Sequence, residues 1–171
     1  AGVQARTQLE AVCCARRIER ARVFDRNPES ADRFVVEMRQ RLGIEIERAS
    51  SAAEAIETAD IICTATSSAV PVFEDVDVRP GAHINAVGAF RPDTAEIPAA
   101  TVRRARVVVD HLAAALEEAG DLLVPLRAEL IDEEHFSTEL GQLVLGRKPG
   151  RASAEEITLF KSVGVAIQDL C

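Results

Sequence analysis

The run Asp60-Ile61-Ile62-Cys63-Thr64-Ala65-Thr66 constrains this chain more than any other stretch. It is nearly continuous in apolar residues and too short for a buried helix. Such a run reads as a strand covered on both faces, the situation of a parallel sheet. Parallel neighbours need long crossovers, so helices must flank it. The rest of the chain supplies them. Short β-type runs occur at Ala21 to Asp25, Ile44 to Ile46, His83 to Val87, Arg106 to Asp110 and Ile157 to Phe160.

Between these runs the apolar period changes to that of helices. Ala5, Leu9, Val12 and Cys13 share one face. A second helix carries Ala31, Phe34, Val35, Met38 and Leu42, with Asn27 as cap, Pro28 in the first turn, Glu29 against the helix dipole and Gly43 as stop. Ser51-x-x-Glu54 reads as a capping box opening a short helix through Ala59. His111 to Ala119 reads as a helix ended by Gly120, a helix is expected around Glu139 to Leu145, and the stretch from Asp121 to Gly150 is otherwise less periodic. Gly164 to Leu170 reads as a last helix. The order β-α-β-α-β-β with right-handed crossovers predicts an α/β, Rossmann-type doubly wound, mostly parallel sheet.

Composition excludes several roles. At 171 residues the chain can bury one good core, and its net charge of −8 argues against a nucleic-acid surface. No apolar run reaches the ~20 residues of a membrane span. The three histidines, His83, His111 and His135, and the four cysteines, Cys13, Cys14, Cys63 and Cys171, show no metal-ligand spacing. Cys13 and Cys63 read as buried small hydrophobes of a reducing, cytoplasmic compartment.

The first five residues, Ala1-Gly2-Val3-Gln4-Ala5, fit the tail of the dinucleotide-binding fingerprint G-x-G-x-x-G/A. Gly2 is then the glycine that admits a pyrophosphate, and Ala5 the small residue for close helix packing. That fingerprint calls for an acid at the end of the second strand, roughly 20 residues on, to bond the ribose hydroxyls. Asp25 falls there, directly after Val23-Phe24. Its carboxylate repels a 2′-phosphate and favours NAD, while Arg26 beside it keeps NADP open. Thr64-Ala65-Thr66-Ser67-Ser68 and Asn85-Ala86-Val87-Gly88 follow strands on what a parallel sheet makes one edge, where ligands of open α/β folds lie. Asp93, Glu96 and Asp110 are further acids, none of which the spacing singles out as a general base.

The stretch Gly81-Ala82-His83-Ile84-Asn85-Ala86-Val87-Gly88-Ala89, continued by Arg91-Pro92-Asp93 and Glu96, resembles the ornithine cyclodeaminase/mu-crystallin family. Ala114 to Asp121, Glu139-Leu140-Gly141, Gly146 to Arg151, and Ile157 through Lys161-Ser162-Val163-Gly164 to Asp169 extend the likeness over essentially the whole chain. The resemblance implies an NAD(P)-binding Rossmann domain over residues 1–150. It also implies a segment over 151–171 that returns to a substrate-binding and dimerising half.

By the same resemblance, Gly2, Val3 and Gln4 meet the pyrophosphate, and Asp25 meets the adenosine ribose with Arg26 beside it. Thr64 and Thr66 line the cofactor. Asn85, Ala86 and Val87 approach the nicotinamide side, and Ser162 and Val163 lie near nicotinamide and substrate. Family cyclodeaminases carry a catalytic Asp two residues after the glycine matching Gly88, where this chain has Phe90. That departure speaks against ornithine-to-proline conversion, and Arg91-Pro92-Asp93 is more like the ketimine reductase-like, mu-crystallin branch, which implies hydride exchange with a cyclic imine or small amino acid in a homodimer; charge and hydropathy leave neither nucleic acid nor membrane as an expected partner. A cyclodeaminase that reduces and reoxidises NAD within one turnover, and a non-catalytic nucleotide- or hormone-binding protein, are the competing readings. A Rossmann unit without its first strand would leave backbone unpaired. The chain is therefore expected to be part of a longer protein whose upstream half carries the catalytic Lys and Arg.

Overall fold

A computed structural model of the chain describes residues 1–164. Two compact units emerge, Ala1–Ala59 and the residues from Asp60 onward.

In the first unit, α1 (Val3–Ala15) leads to β1 (Arg20–Val23), α2 (Pro28–Leu42), β2 (Glu45–Arg48) and α3 (Ala52–Ile56). β1 and β2 pair in parallel with Ala21 opposite Ile46. α2 starts as the sequence dictates. The Asn27 side chain accepts from the amides of Glu29 and Ser30, and Gly43 closes the helix in the left-handed region at φ 66°. The spacing of its apolar residues puts Phe34, Val35 and Met38 into one cluster with Ile46, and Ala5, Leu9, Ala21, Val23, Leu42 and Ile44 pack against it. The capping box at α3 is only half formed. Ser51 Oγ accepts from Glu54 N at 3.1 Å, but the Glu54 carboxylate reaches the amide of Ser50, 2.7 Å away, not that of Ser51.

The second unit contains β3 (Ile61–Thr64), β4 (His83–Ala86), α4 (Ala99–Arg104), β5 (Arg106–Val109), α5 (Leu112–Glu118), α6 (Gly120–Arg127), α7 (Leu140–Val144) and β6 (Thr158–Lys161). Its sheet is wholly parallel in the order β3-β4-β6-β5. β6, far along the chain, inserts between β4 and β5, so Thr64, Ala86, Lys161 and Val109 end in register along one edge. The expected parallel α/β architecture is what the chain adopts. The loop between β3 and β4 turns back at Gly81, whose φ of 80° suits glycine.

Two expectations need correcting. Gly120 does not stop a helix; it opens α6, an element absent from the sequence reading along with α4. Glycine is required there because a Cβ would run into the carbonyl oxygens of Thr94 and Arg91. Periodicity failed at α6 because Leu122, Leu123 and Pro125 are all buried, leaving too little of a polar face to mark a helix. Cys63 is not a buried hydrophobe. β3 buries Ile62 and Thr64 alternately and turns Cys63 outward. Enough of the fold still surrounds its sulfur for desolvation to push the thiol up, against a smaller opposing effect of the Asn85 amide. The helix expected over Gly164 to Leu170 lies, from residue 165 on, outside the described residues.

Candidate functional site: a glycine turn with its acid and a polar strand edge

In the first unit, Gly2 is the N-cap of α1, with the extended backbone (φ −90°, ψ −170°) that leaves first-turn amides unbonded within the helix. A Cβ on Gly2 would meet nothing within 4 Å, so the turn is open to a ligand. Val3 and Gln4, in that first turn, are exposed.

Asp25 follows β1 and folds back onto this turn. Its Oδ1 accepts from Asn27 N at 2.8 Å, and its Oδ2 lies against the nitrogen of Ala1. Arg26 is exposed beside it.

A residue that the spacing did not suggest fixes the turn. Arg6 donates to the carbonyls of Ala1 (2.8 Å) and Gly2 (3.0 Å), pairs with Glu37 of α2 at 2.8 Å, and lies over the Phe34 ring. Its one legible signal was a basic residue one position past Ala5 on α1.

In the second unit, the carboxyl ends of the strands carry the other residues singled out. Thr64 is buried, and its hydroxyl has no hydrogen-bond partner among the described residues. Thr66 is exposed and offers its hydroxyl to Ser68 N at 3.0 Å. The Ala86 methyl is in the core, so only its backbone faces the edge: its carbonyl accepts from Ser162 N at 3.1 Å. Val87 N donates to Thr64 O at 3.0 Å, closing the β3 and β4 ends together. Asn85 projects from the opposite, outward face, with its Oδ1 3.2 Å from His83 Nε2 and its amide 3.7 Å from Cys63 Sγ. Phe90 is exposed in the loop after β4.

Asp110, left without a role by spacing, organises the end of β6. Its Oδ2 accepts from Ser162 Oγ (2.7 Å), Val163 N (3.1 Å) and Gly164 N (3.0 Å), a cradle that sets the Ser162-Val163-Gly164 turn. Behind the edge lie three charged side chains that sequence reasoning gave no function: Glu96, Asp121 and Lys161, all fully buried. Asp121 Oδ2 is 2.9 Å from Lys161 Nζ, and Lys161 also donates to Ala89 O at 2.5 Å. Among the described residues no group of three side chains could hold a metal ion, and no helix is long and apolar enough to cross a membrane.

The first unit thus carries an open glycine turn beside an acid, and the second a polar edge of parallel strands. Residues 1–171 match the sequence profile of the ornithine cyclodeaminase/mu-crystallin family. The chain belongs to this family.

A Delta(1)-pyrroline-2-carboxylate reductase of Bacillus cereus is 44% identical over 99% of the chain and 52% of its own length. The ketimine reductase mu-crystallin of Mus musculus is 37% identical over 99% of the chain and 50% of its own. Among solved structures, Delta(1)-pyrroline-2-carboxylate reductase of Thermococcus litoralis, in complex with NADH and L-proline, is 49% identical. It superposes with a TM-score of 0.96 over 99% of the chain and 52% of that protein. An archaeal alanine dehydrogenase dimer with bound NAD is 36% identical with a TM-score of 0.92, likewise over 99% of the chain and 52% of that structure. The chain thus spans about half the length of the relatives it matches, and the Rossmann-type fold expected from its sequence is the fold it shares with them.

Proposed function

We propose that the protein to which this chain belongs is an NAD-dependent oxidoreductase acting on the C–N bond of a cyclic ketimine or small amino acid. The observation that carries this reading is the return of Asp25 onto the Gly2 turn. A carboxylate that already accepts hydrogen bonds, next to an open helix N-terminus, suits a ribose hydroxyl pair and a neighbouring pyrophosphate. Gly2, Val3 and Gln4 hold the pyrophosphate, and Asp25 holds the adenosine ribose, disfavouring the 2′-phosphate of NADP although Arg26 stands beside it.

Thr64, Thr66, the backbone from Asn85 to Val87, and Ser162 receive the nicotinamide end, with Val163 toward the substrate. When bound, the cofactor supplies or takes up the hydride. This chain's residues bind and orient it and exclude water, which is the protein's share of such chemistry. Residues 1–150 form the nucleotide-binding part, and residues 151–171 lead toward a substrate-binding half that supplies the proton-transfer groups. We place the protein in the cytoplasm as a homodimer. The likeness to NADH- and NAD-bound reductases and dehydrogenases supports the cofactor. The exposed Phe90, standing where the family's cyclodeaminases carry an acid, weighs against ammonia elimination.

The test is a spectrophotometric assay of the full-length protein with a cyclic ketimine carboxylate. Steady oxidation of NADH is expected, with NADPH the poorer donor. Ammonia release from ornithine without net NADH change would refute the reductase in favour of a cyclodeaminase. Tight nucleotide binding with neither signal would leave a binding protein.

A further inference from the structure

Glu96 is fully buried, and among the described residues it forms no ion pair. Its Oε1 accepts from Thr66 N at 2.6 Å, and its Oε2 has no hydrogen-bond partner among the described residues. Its carbonyl accepts from Val72 N at 2.9 Å, so one residue pins the loop after β3 at two points. Its own amide, with that of Ile97, is held by Asp121 Oδ1 at 2.6 and 3.0 Å. Asp121 in turn is fixed by Lys161, which grips Ala89 in the loop after β4. The Glu96 carboxylate also fills the space in front of Gly88: a Cβ there would run into it.

Energetics argue against a purely stabilising role. A buried carboxylate with one oxygen unsatisfied costs free energy that one backbone hydrogen bond does not return. What the carboxylate provides, and an apolar side chain cannot, is a fixed acceptor for Thr66 N at a set distance from Gly88.

We infer that Glu96 is a positioning residue, which sets the spacing of the Thr64–Thr66 and Ala86–Ala89 segments so that they receive the nicotinamide end of the dinucleotide. It does so through the Thr66 amide and through contact with Gly88. This inference rests on the cofactor assignment made above. A purely structural role would weaken every nucleotide alike. A positioning role weakens only the ligand that reaches this edge.

The experiment measures dissociation constants of the full-length protein for NADH and for ADP, which carries the adenosine end alone, in wild type, Glu96→Met and Glu96→Gln. Methionine keeps the volume and removes the acceptor; glutamine keeps an acceptor. For Glu96→Met, NADH affinity is expected to fall about tenfold, the loss of one charge-assisted hydrogen bond, with ADP affinity unchanged. Glu96→Gln is expected to restore NADH binding. Should Glu96→Met not accumulate as folded protein, Glu96→Asp carries the same comparison, because it withdraws the carboxylate by one methylene. Parallel loss of NADH and ADP, or a Glu96→Met protein that binds NADH as wild type does, would overturn the inference. Wild-type protein that binds neither nucleotide would overturn the cofactor assignment and this inference with it.

Discussion

The buried pair Lys161–Asp121 offers a quantitative test of how the strand edge is built. The two partners are not equivalent. Asp121 has three partners, the ammonium at 2.9 Å and the amides of Glu96 and Ile97. Among the described residues Lys161 has two, Asp121 and the carbonyl of Ala89. Asp121→Asn keeps an acceptor for both amides but sets a neutral group against a fully buried ammonium. Removing one partner of a buried pair costs about 3–5 kcal/mol, a fall in melting temperature of roughly 6–20 °C for a domain of this size.

Lys161→Met is expected to cost less, because the Asp121 carboxylate retains its two amides. The double variant Lys161→Met/Asp121→Asn removes the orphaned ammonium. It is expected to be more stable than Asp121→Asn alone by roughly 2 kcal/mol, within the range measured for groups in contact. Urea unfolding of the full-length protein, read as midpoint and slope for all four forms, completes the cycle. The reasoning fails if Asp121→Asn costs under about 1 kcal/mol, or if adding Lys161→Met destabilises it further.

Two other outcomes are expected. Asp25→Ser should weaken NADH binding by about tenfold or more, the loss of hydrogen bonds to a charged acceptor, and should narrow the preference over NADPH; titration of both nucleotides checks it, and unchanged affinity for each would show that the ribose lies elsewhere. Glu156 pairs with Arg106 at 2.9 Å and accepts from the amide of Ala152, and these bonds hold its carboxyl below the usual range. Because its folded-state pKa is depressed, its contribution to stability is present above the unfolded value near ~4.3 and is lost as pH falls through the folded value. Glu156→Gln should therefore flatten the acid limb of a stability–pH curve, with urea midpoints converging on wild type at the lowest pH.

Much of the fold was legible because its signals are local. Asn27, Pro28 and Gly43 mark the ends of α2 by capping chemistry within a few residues, and the spacing of Phe34, Val35 and Met38 names its buried face. The strand at His83–Ala86 and the turn at Gly81 were equally readable, as was Asp25 at the end of β1. The site was legible only where a motif carries it. Arg6 is anchored by Glu37, and Asp110 and Glu96 act through Ser162 and Thr66, all distant in sequence, and nothing in their immediate neighbours distinguishes them from surface charges.

The sequence by itself determined the strands, most of the helices, the caps of α2 and the glycine turn, since each depends on residues a few positions apart, and its motifs together carried the family. Only the tertiary structure decided that β6 lies between β4 and β5, that Cys63 faces outward, and that Lys161, Asp121 and Glu96 are buried together behind the strand edge. A period of two says that a strand has two faces and not which one is covered. The partners of a buried charge are chosen by strand order, which brings together residues that the chain keeps far apart.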